Sequence, residues 1–181
     1  MLASTSLFSQ GPGKWGLLLG FNASSFSGSE TSIENNKLMP GLTIGFFYEI
    51  EIAPRLAFSP EFSFTTKGSR LQSVGDLYLH QVLTYLEMPV RVIWTIKSGK
   101  RVSLFLSGGP ALDFMLLAFN EVGFPEEIAR FDMGVDLGTG IRWQKVQFRV
   151  HLTQGLTDLD RSMSLNRIKN RTLSLTAALS F

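Results

Sequence analysis

Two histidines, His80 and His151, with the carboxylates Asp113, Asp132 and Asp136, are the residues of this chain whose types could carry out acid–base chemistry. A general acid–base pair needs its groups within hydrogen-bond reach of each other and of a substrate. No serine or carboxylate stands near His80 at a spacing that makes a recognisable constellation, and no metal-ligand spacing is present. The glycine-rich stretches lack the strand-to-helix setting of a phosphate loop. There is no cysteine, hence no thiolate chemistry and no disulfide framework. A net charge of +2 gives no argument for nucleic acid. The expectation is a protein without catalytic residues, cofactor or metal.

A larger set of charges has a different meaning. Glu49, Glu51, Glu61, Glu87, Asp132 and Asp136 are matched by Lys14, Arg91, Arg142 and Arg149, and all of them share one parity within segments that alternate. The stretch from Gly41 to Phe64 shows the rule. Leu42, Ile44, Phe46, Tyr48, Ile50 and Ile52 lie on one side, with Thr43, Gly45, Phe47, Glu49 and Glu51 between them; after Ala53, Pro54 and Arg55 the pattern resumes from Leu56 to Phe64. Period-two alternation marks a strand. These runs reach about eleven residues, the length that a tilted strand needs to cross a bilayer, whereas strands of soluble sheets average about five or six. No apolar run of eighteen residues exists, so any crossing must be by strands.

The same alternation recurs along the chain and gives about eight strands in all, including 131–143, 146–156 and 172–181. Connections after the second, fourth and sixth are short (Ala53 to Arg55, Lys97 to Arg101, Gln144 with Lys145). Those after the first, third, fifth and seventh are long (Ser24 to Met39, Lys67 to His80, Met115 to Arg130, Thr157 to Lys169). Short periplasmic turns alternating with long extracellular loops are the pattern of bacterial outer-membrane barrels. The fold expected is all-β: an eight-stranded antiparallel up-and-down transmembrane β-barrel over residues 11–181. Residues 1–10 are small and apolar and are expected to be the remnant of a signal peptide or a disordered N-terminus.

Trp15, Trp94 and Trp143 all fall at the short-turn end of apolar faces and would form the periplasmic aromatic girdle together with Phe181. The charged parity then faces inward. A lipocalin-type carrier would line its cavity with apolar side chains, and this face is the reverse. Such charges are tolerable only when paired, and an eight-stranded barrel is just wide enough for side chains to fill. The expected interior is therefore a closed polar network of Glu49, Glu51, Glu61, Glu87, Arg91, Asp136, Arg142, Arg149 and His151, with glycines at 134, 138 and 140 leaving room for long Arg and Glu side chains. Pairing across Gln144 and Lys145 puts His151 opposite Gly138, deep in the lumen and away from any lipid or peptide substrate.

Tyr85-Leu86-Glu87-Met88-Pro89-Val90 resembles the Tyr-Leu-Glu-Ile-Pro-Leu segment of PorT-like, porin-family outer-membrane β-barrel proteins of Bacteroidota. Ser107-Gly108-Gly109-Pro110, Asp136-Leu137-Gly138-Thr139-Gly140, Gly155-Leu156-Thr157-Asp158 and the closing Thr172 to Phe181 are similar to later strands of that family. The resemblance implies an outer-membrane location in a Gram-negative envelope; a few relatives serve protein secretion, and most have no assigned role. Pro89 lacks the N–H that a ladder uses, which predicts a bulge or local kink.

The final strand, ending in aromatic Phe181, resembles the signal by which the outer-membrane assembly machinery recognises its clients. Arg161, Arg167, Lys169 and Arg171 gather in and after the last long loop and are candidates for contact with lipopolysaccharide phosphates. Met115 to Phe119, with Phe124, are unusually apolar for a loop and either extend the fifth strand above the bilayer or form a small partner-binding patch. The functional expectation is an integral barrel, closed inside, whose extracellular loops bind or anchor a partner in an envelope or secretion assembly. The alternatives are a narrow porin-like channel and, last, a small lipid-modifying envelope enzyme.

Overall fold

The computed structural model describes residues 13–27, 37–72, 78–120, 130–157 and 169–181. The expected signal remnant, residues 1–10, lies outside them. Eight strands form, β1 (Lys14–Ser27), β2 (Lys37–Ala53), β3 (Leu56–Gln72), β4 (Tyr78–Ser98), β5 (Val102–Asn120), β6 (Phe131–Trp143), β7 (Val146–Gly155) and β8 (Lys169–Ser180). Each pairs antiparallel with its neighbours in sequence, and β8 pairs with β1 to close the barrel. The up-and-down topology is the one read from alternation.

The register fixes the bore. Followed once round the wall, Gly16 is level with Phe47, Glu61, Pro89, Ala111, Gly134, Gly155, Asn170 and finally Phe26, ten residues further along β1. With eight strands, that stagger tilts each strand by about 40° from the barrel axis and leaves an interior that side chains can fill.

Two faces follow from the pleat. Outward side chains are large, apolar and exposed, among them Leu17, Phe21, Leu42, Ile44, Phe64, Leu137 and Leu175. Inward ones are mostly polar and buried, so the molecule has no single apolar core. Three small clusters stand in its place: Leu18, Phe47 and Ala178; Ala57, Ile93 and Phe105; Leu83 and Tyr85. Trp15, Trp94 and Trp143 are each a little over half exposed near the turn end. Trp15 stacks on Phe181 with ring centroids 4.6 Å apart, and the Phe181 N–H donates to the Trp15 carbonyl at 2.8 Å. At the opposite end Phe114 lies 5.0 Å from Phe131.

The strands run further than alternation suggests. β3 continues to Gln72, β4 begins at Tyr78 and β5 reaches Asn120, so Lys67 and Met115 to Phe119 are wall, not loop. Above the bilayer the outward face no longer has to be apolar, so the pattern fades while the ladder continues. With 17 to 21 residues each, β2 to β5 stand taller than β6 to β8, which have 10 to 13. A crossing needs only about nine to eleven.

Of the bulge or local kink expected at Pro89, the bulge is absent. Register is the same on both sides of it, Pro60 with Val90 and Ser63 with Glu87, and Pro89 itself pairs with Ala111. The β4–β5 ladder shifts instead between Thr84 and Tyr85, where Leu116 is the extra residue of β5, and between Thr95 and Lys97, where Ile96 is the extra residue of β4. The turns are tight, with positive φ at Arg55 (67°) and Gln144 (55°). Pro54 has φ fixed near −65°, so the left-handed position of the first turn must fall on the residue after it.

Candidate functional site in the barrel lumen

Inward-facing charges from opposite walls meet in the bore. At the periplasmic end, Arg142 Nη2 on β6 donates to both carboxylate oxygens of Glu49 on β2, at 2.6 and 2.7 Å. Gln147 Nε2 adds a third bond to Glu49 at 3.3 Å, and its Oε1 accepts from Arg149 Nε at 3.0 Å. Arg149 Nη1 reaches Glu61 at 2.9 Å, and the same Glu61 oxygen lies 2.6 Å from Arg91 Nη1. Arg91 then grips Asp136 with Nε at 2.7 Å and Nη2 at 3.3 Å. Asp136 also accepts from Thr153 Oγ1 at 2.9 Å and stands 3.1 Å from His151 Nδ1.

This is one continuous chain of ion pairs and charge-assisted hydrogen bonds from the lower mouth to mid-barrel. Strands β2 and β6, like β3 and β7, are four apart either way round an eight-stranded wall, so the Glu49–Arg142 and Glu61–Arg149 pairs cross the whole bore. Glu49, Glu61, Arg91, Asp136, Arg149 and His151 are all buried. Burial of so many charges is affordable only because each is bonded to an opposite one. The cationic groups also lie over aromatic faces: the Arg149 guanidinium carbon is 4.6 Å from the Phe47 ring centre, and that of Arg142 is 5.7 Å from Phe105.

A second cluster sits nearer the extracellular side. Lys67 Nζ pairs with Glu87 and, at 2.6 Å, with Asp113. Thr65 Oγ1 donates to Glu87 at 2.7 Å, and the ammonium lies 5.2 Å from the Tyr85 ring centre. Asp132 accepts from the Thr157 backbone N–H at 3.3 Å.

Of the nine residues expected in the lumen network, the structure joins seven into the chain just described: Glu49, Glu61, Arg91, Asp136, Arg142, Arg149 and His151. Glu87 belongs to the separate upper cluster. Glu51 is a correction: it is 62% exposed at the periplasmic rim, 3.2 Å from exposed Lys14. It helps line a cup of about 200 Å³ with Glu49, Arg55, Thr95 and Arg142, below the plug. None of the three glycines makes room for Arg or Glu: a Cβ on Gly138 would collide with the His151 imidazole, one on Gly140 with Phe105, and one on Gly134 with the Gln154 carbonyl. His151 does stand opposite Gly138. Its Nε2 has no hydrogen-bond partner among the described residues. His80 pairs through its backbone with Arg70.

Sequence reasoning missed Lys67, which it left in a loop, and did not join Asp113 or Gln147 to the network. Parity could have found Lys67, because it continues the inward series Glu61, Ser63, Thr65. Of the four expected lipopolysaccharide contacts, Arg161 and Arg167 lie outside the described residues. Lys169 and Arg171 are on β8, Arg171 exposed, on the outward side that alternates with buried Asn170. Among the described residues no cluster of His, Asp or Glu could hold a metal ion.

Known proteins agree with this architecture. The solved structure of OprG from Pseudomonas aeruginosa superposes with a TM-score of 0.62 at 10% identity, covering 93% of this chain and 96% of that one. Ail of Yersinia pestis, solved with the heparin analogue sucrose octasulfate, superposes with a TM-score of 0.52 at 16% identity over 93% and 99% of the two chains. Neisserial surface protein A gives 0.50 at 11% identity over 91% and 97%. No curated protein sequence matches. Residues 8–161 match the family described as outer membrane protein beta-barrel domain. The chain belongs to that family, and its closed eight-stranded wall is that of a protein of the bacterial outer membrane.

Proposed function

We propose that this barrel is a non-enzymatic anchor that holds its extracellular loops and upper rim against a partner in an envelope or secretion assembly. The observation that carries this reading is the pair of transverse salt bridges, Glu49–Arg142 and Glu61–Arg149, which cross the bore from opposite walls. With the bore filled, what the protein offers to its surroundings is its outer surface. The tall wall of β2 to β5 adds to that surface, since β5 carries exposed Leu116 and Leu117 above the Phe114 level. The basic group of Arg161, Arg167, Lys169 and Arg171 suits the phosphates of lipopolysaccharide. The binding of a polyanion by Ail, a barrel of the same fold, is in keeping with that.

Site-specific photocrosslinking in living cells tests the reading. A crosslinker at Leu117 or Arg130, on the upper rim, is expected to give a discrete adduct, and one at Lys145, in a periplasmic turn, is expected to give none. Absence of adducts from the rim, or adducts from the turn alone, would contradict it.

A further inference from the structure

The upper lumen holds more negative charge than its own cation balances. Glu87 on β4, Asp113 on β5 and Asp132 on β6 stand directly opposite one another in register, all facing inward. Among the described residues Lys67 is the one cation bonded to this row, and it is paired with Glu87 and Asp113. Asp132 is 2% exposed; its hydrogen bonds come from Thr157 and Met133, the Thr157 backbone N–H donating to Oδ1, and Lys67 acts on it only through space, without a direct pair. Like charges facing each other across a ladder destabilise it, and a buried carboxylate with no counter-charge paired directly to it is costly.

A second observation points the same way. Tyr85, fully buried and two residues from Glu87 on the same inward face of β4, has a hydroxyl with no hydrogen-bond partner. Asp113 Oδ1 is likewise buried and unpartnered. The three carboxylates are not close enough together to hold a metal ion. The row does accept an ammonium, because Lys67 Nζ already occupies its first half.

We infer that the second half of this row, formed by Asp113, Asp132 and the Tyr85 hydroxyl, binds a second ammonium cation of the primary-amine class, entering from the extracellular side. A primary ammonium has three N–H donors and no acceptor. Asp113 Oδ1, Asp132 and the Tyr85 oxygen offer one acceptor each, and both carboxylates supply charge.

The test is thermal unfolding of the whole protein in detergent micelles, followed by its gel shift on heating, with methylammonium chloride against tetramethylammonium chloride at equal ionic strength. A saturable rise in unfolding temperature with methylammonium alone is expected. Asp132→Asn and Tyr85→Phe should each raise the half-saturating concentration by about tenfold, the loss of one charge-assisted bond. Tyr85→Phe changes one atom and keeps the inference testable if Asp132→Asn does not assemble. An equal rise with both salts, no rise, or an undiminished response in the variants that fold would overturn it. So would a barrel insensitive to amines that is stabilised by acid in the parent and not in Asp132→Asn, the mark of a proton shared by Asp113 and Asp132.

Discussion

Arg149 on β7 and Glu61 on β3 are joined at 2.9 Å across the full width of the barrel. Neither residue has an opposite charge beside it on its own strand, so the bond exists only when the wall has closed with its ten-residue stagger. The plug and the closure are therefore one event. A register slip would separate Glu61 from Arg149, Glu49 from Arg142, and Arg91 from Asp136 together.

Glu61→Ala should be the most damaging single change in the lumen. Glu61 receives both Arg91 and Arg149, and its loss leaves buried guanidinium groups short of a counter-charge. Breaking a buried pair on one side costs about 3–5 kcal/mol. The urea midpoint of the protein refolded in micelles should fall accordingly, and Arg149→Met in the same chain should recover part of the loss. An unchanged midpoint would contradict the pairing.

Gly138→Val should displace His151, because the glycine leaves the space that the imidazole fills. The expected result is a loss of the His151–Asp136 contact, seen as a shifted His151 ring resonance in micelles, with partial recovery of stability in Gly138→Val combined with His151→Ala. A His151 signal identical to that of the parent would show that the ring is not held there.

How far these features could be read from sequence depends on which solvent a face meets. Between the girdles, lipid requires an apolar residue at every second position, and Trp15, Leu17, Leu19 and Phe21 obey it; strand number, facing and most of the inward charges were therefore legible. Above the lipid the outward face need not be apolar, so the alternation fades and Lys67 reads as loop although its backbone stays paired. The partners of the inward charges were not legible either. Whether Arg149 meets Glu61 or Glu87 depends on the stagger, which is a property of all eight ladders together. At Pro89 the missing N–H is absorbed by opening two rungs between Pro60 and Ser63 without adding a residue, which the residue type alone does not distinguish from a bulge.

Phe181 should matter through Trp15 as well as through the assembly machinery. The two rings stack across the β1–β8 seam, an arrangement worth about 0.5–1.5 kcal/mol. Phe181→Ala or deletion of Phe181 should lower the amount of heat-modifiable protein in the outer-membrane fraction, while Phe181→Tyr should preserve it. Equal amounts for all variants would remove both roles.

Leu137, mid-strand on β6 and 61% exposed, faces the acyl chains. Leu137→Arg should cost about 2–4 kcal/mol, the penalty for a cation near the bilayer midplane of a barrel. The same substitution at Leu156, beyond the end of β7, should cost about 1 kcal/mol or less. Reversible urea unfolding in lipid vesicles measures both, and equal costs would contradict the assigned membrane level.

The central claim is that the bore is sealed by its own charges, and current across a planar lipid bilayer tests it most directly. The intact protein should insert without sustained conductance steps, and the Glu49→Ala, Arg142→Ala, Glu61→Ala, Arg149→Ala variant, with both transverse arms removed, should conduct. Steady single-channel steps from the intact protein would contradict the account and make it a channel.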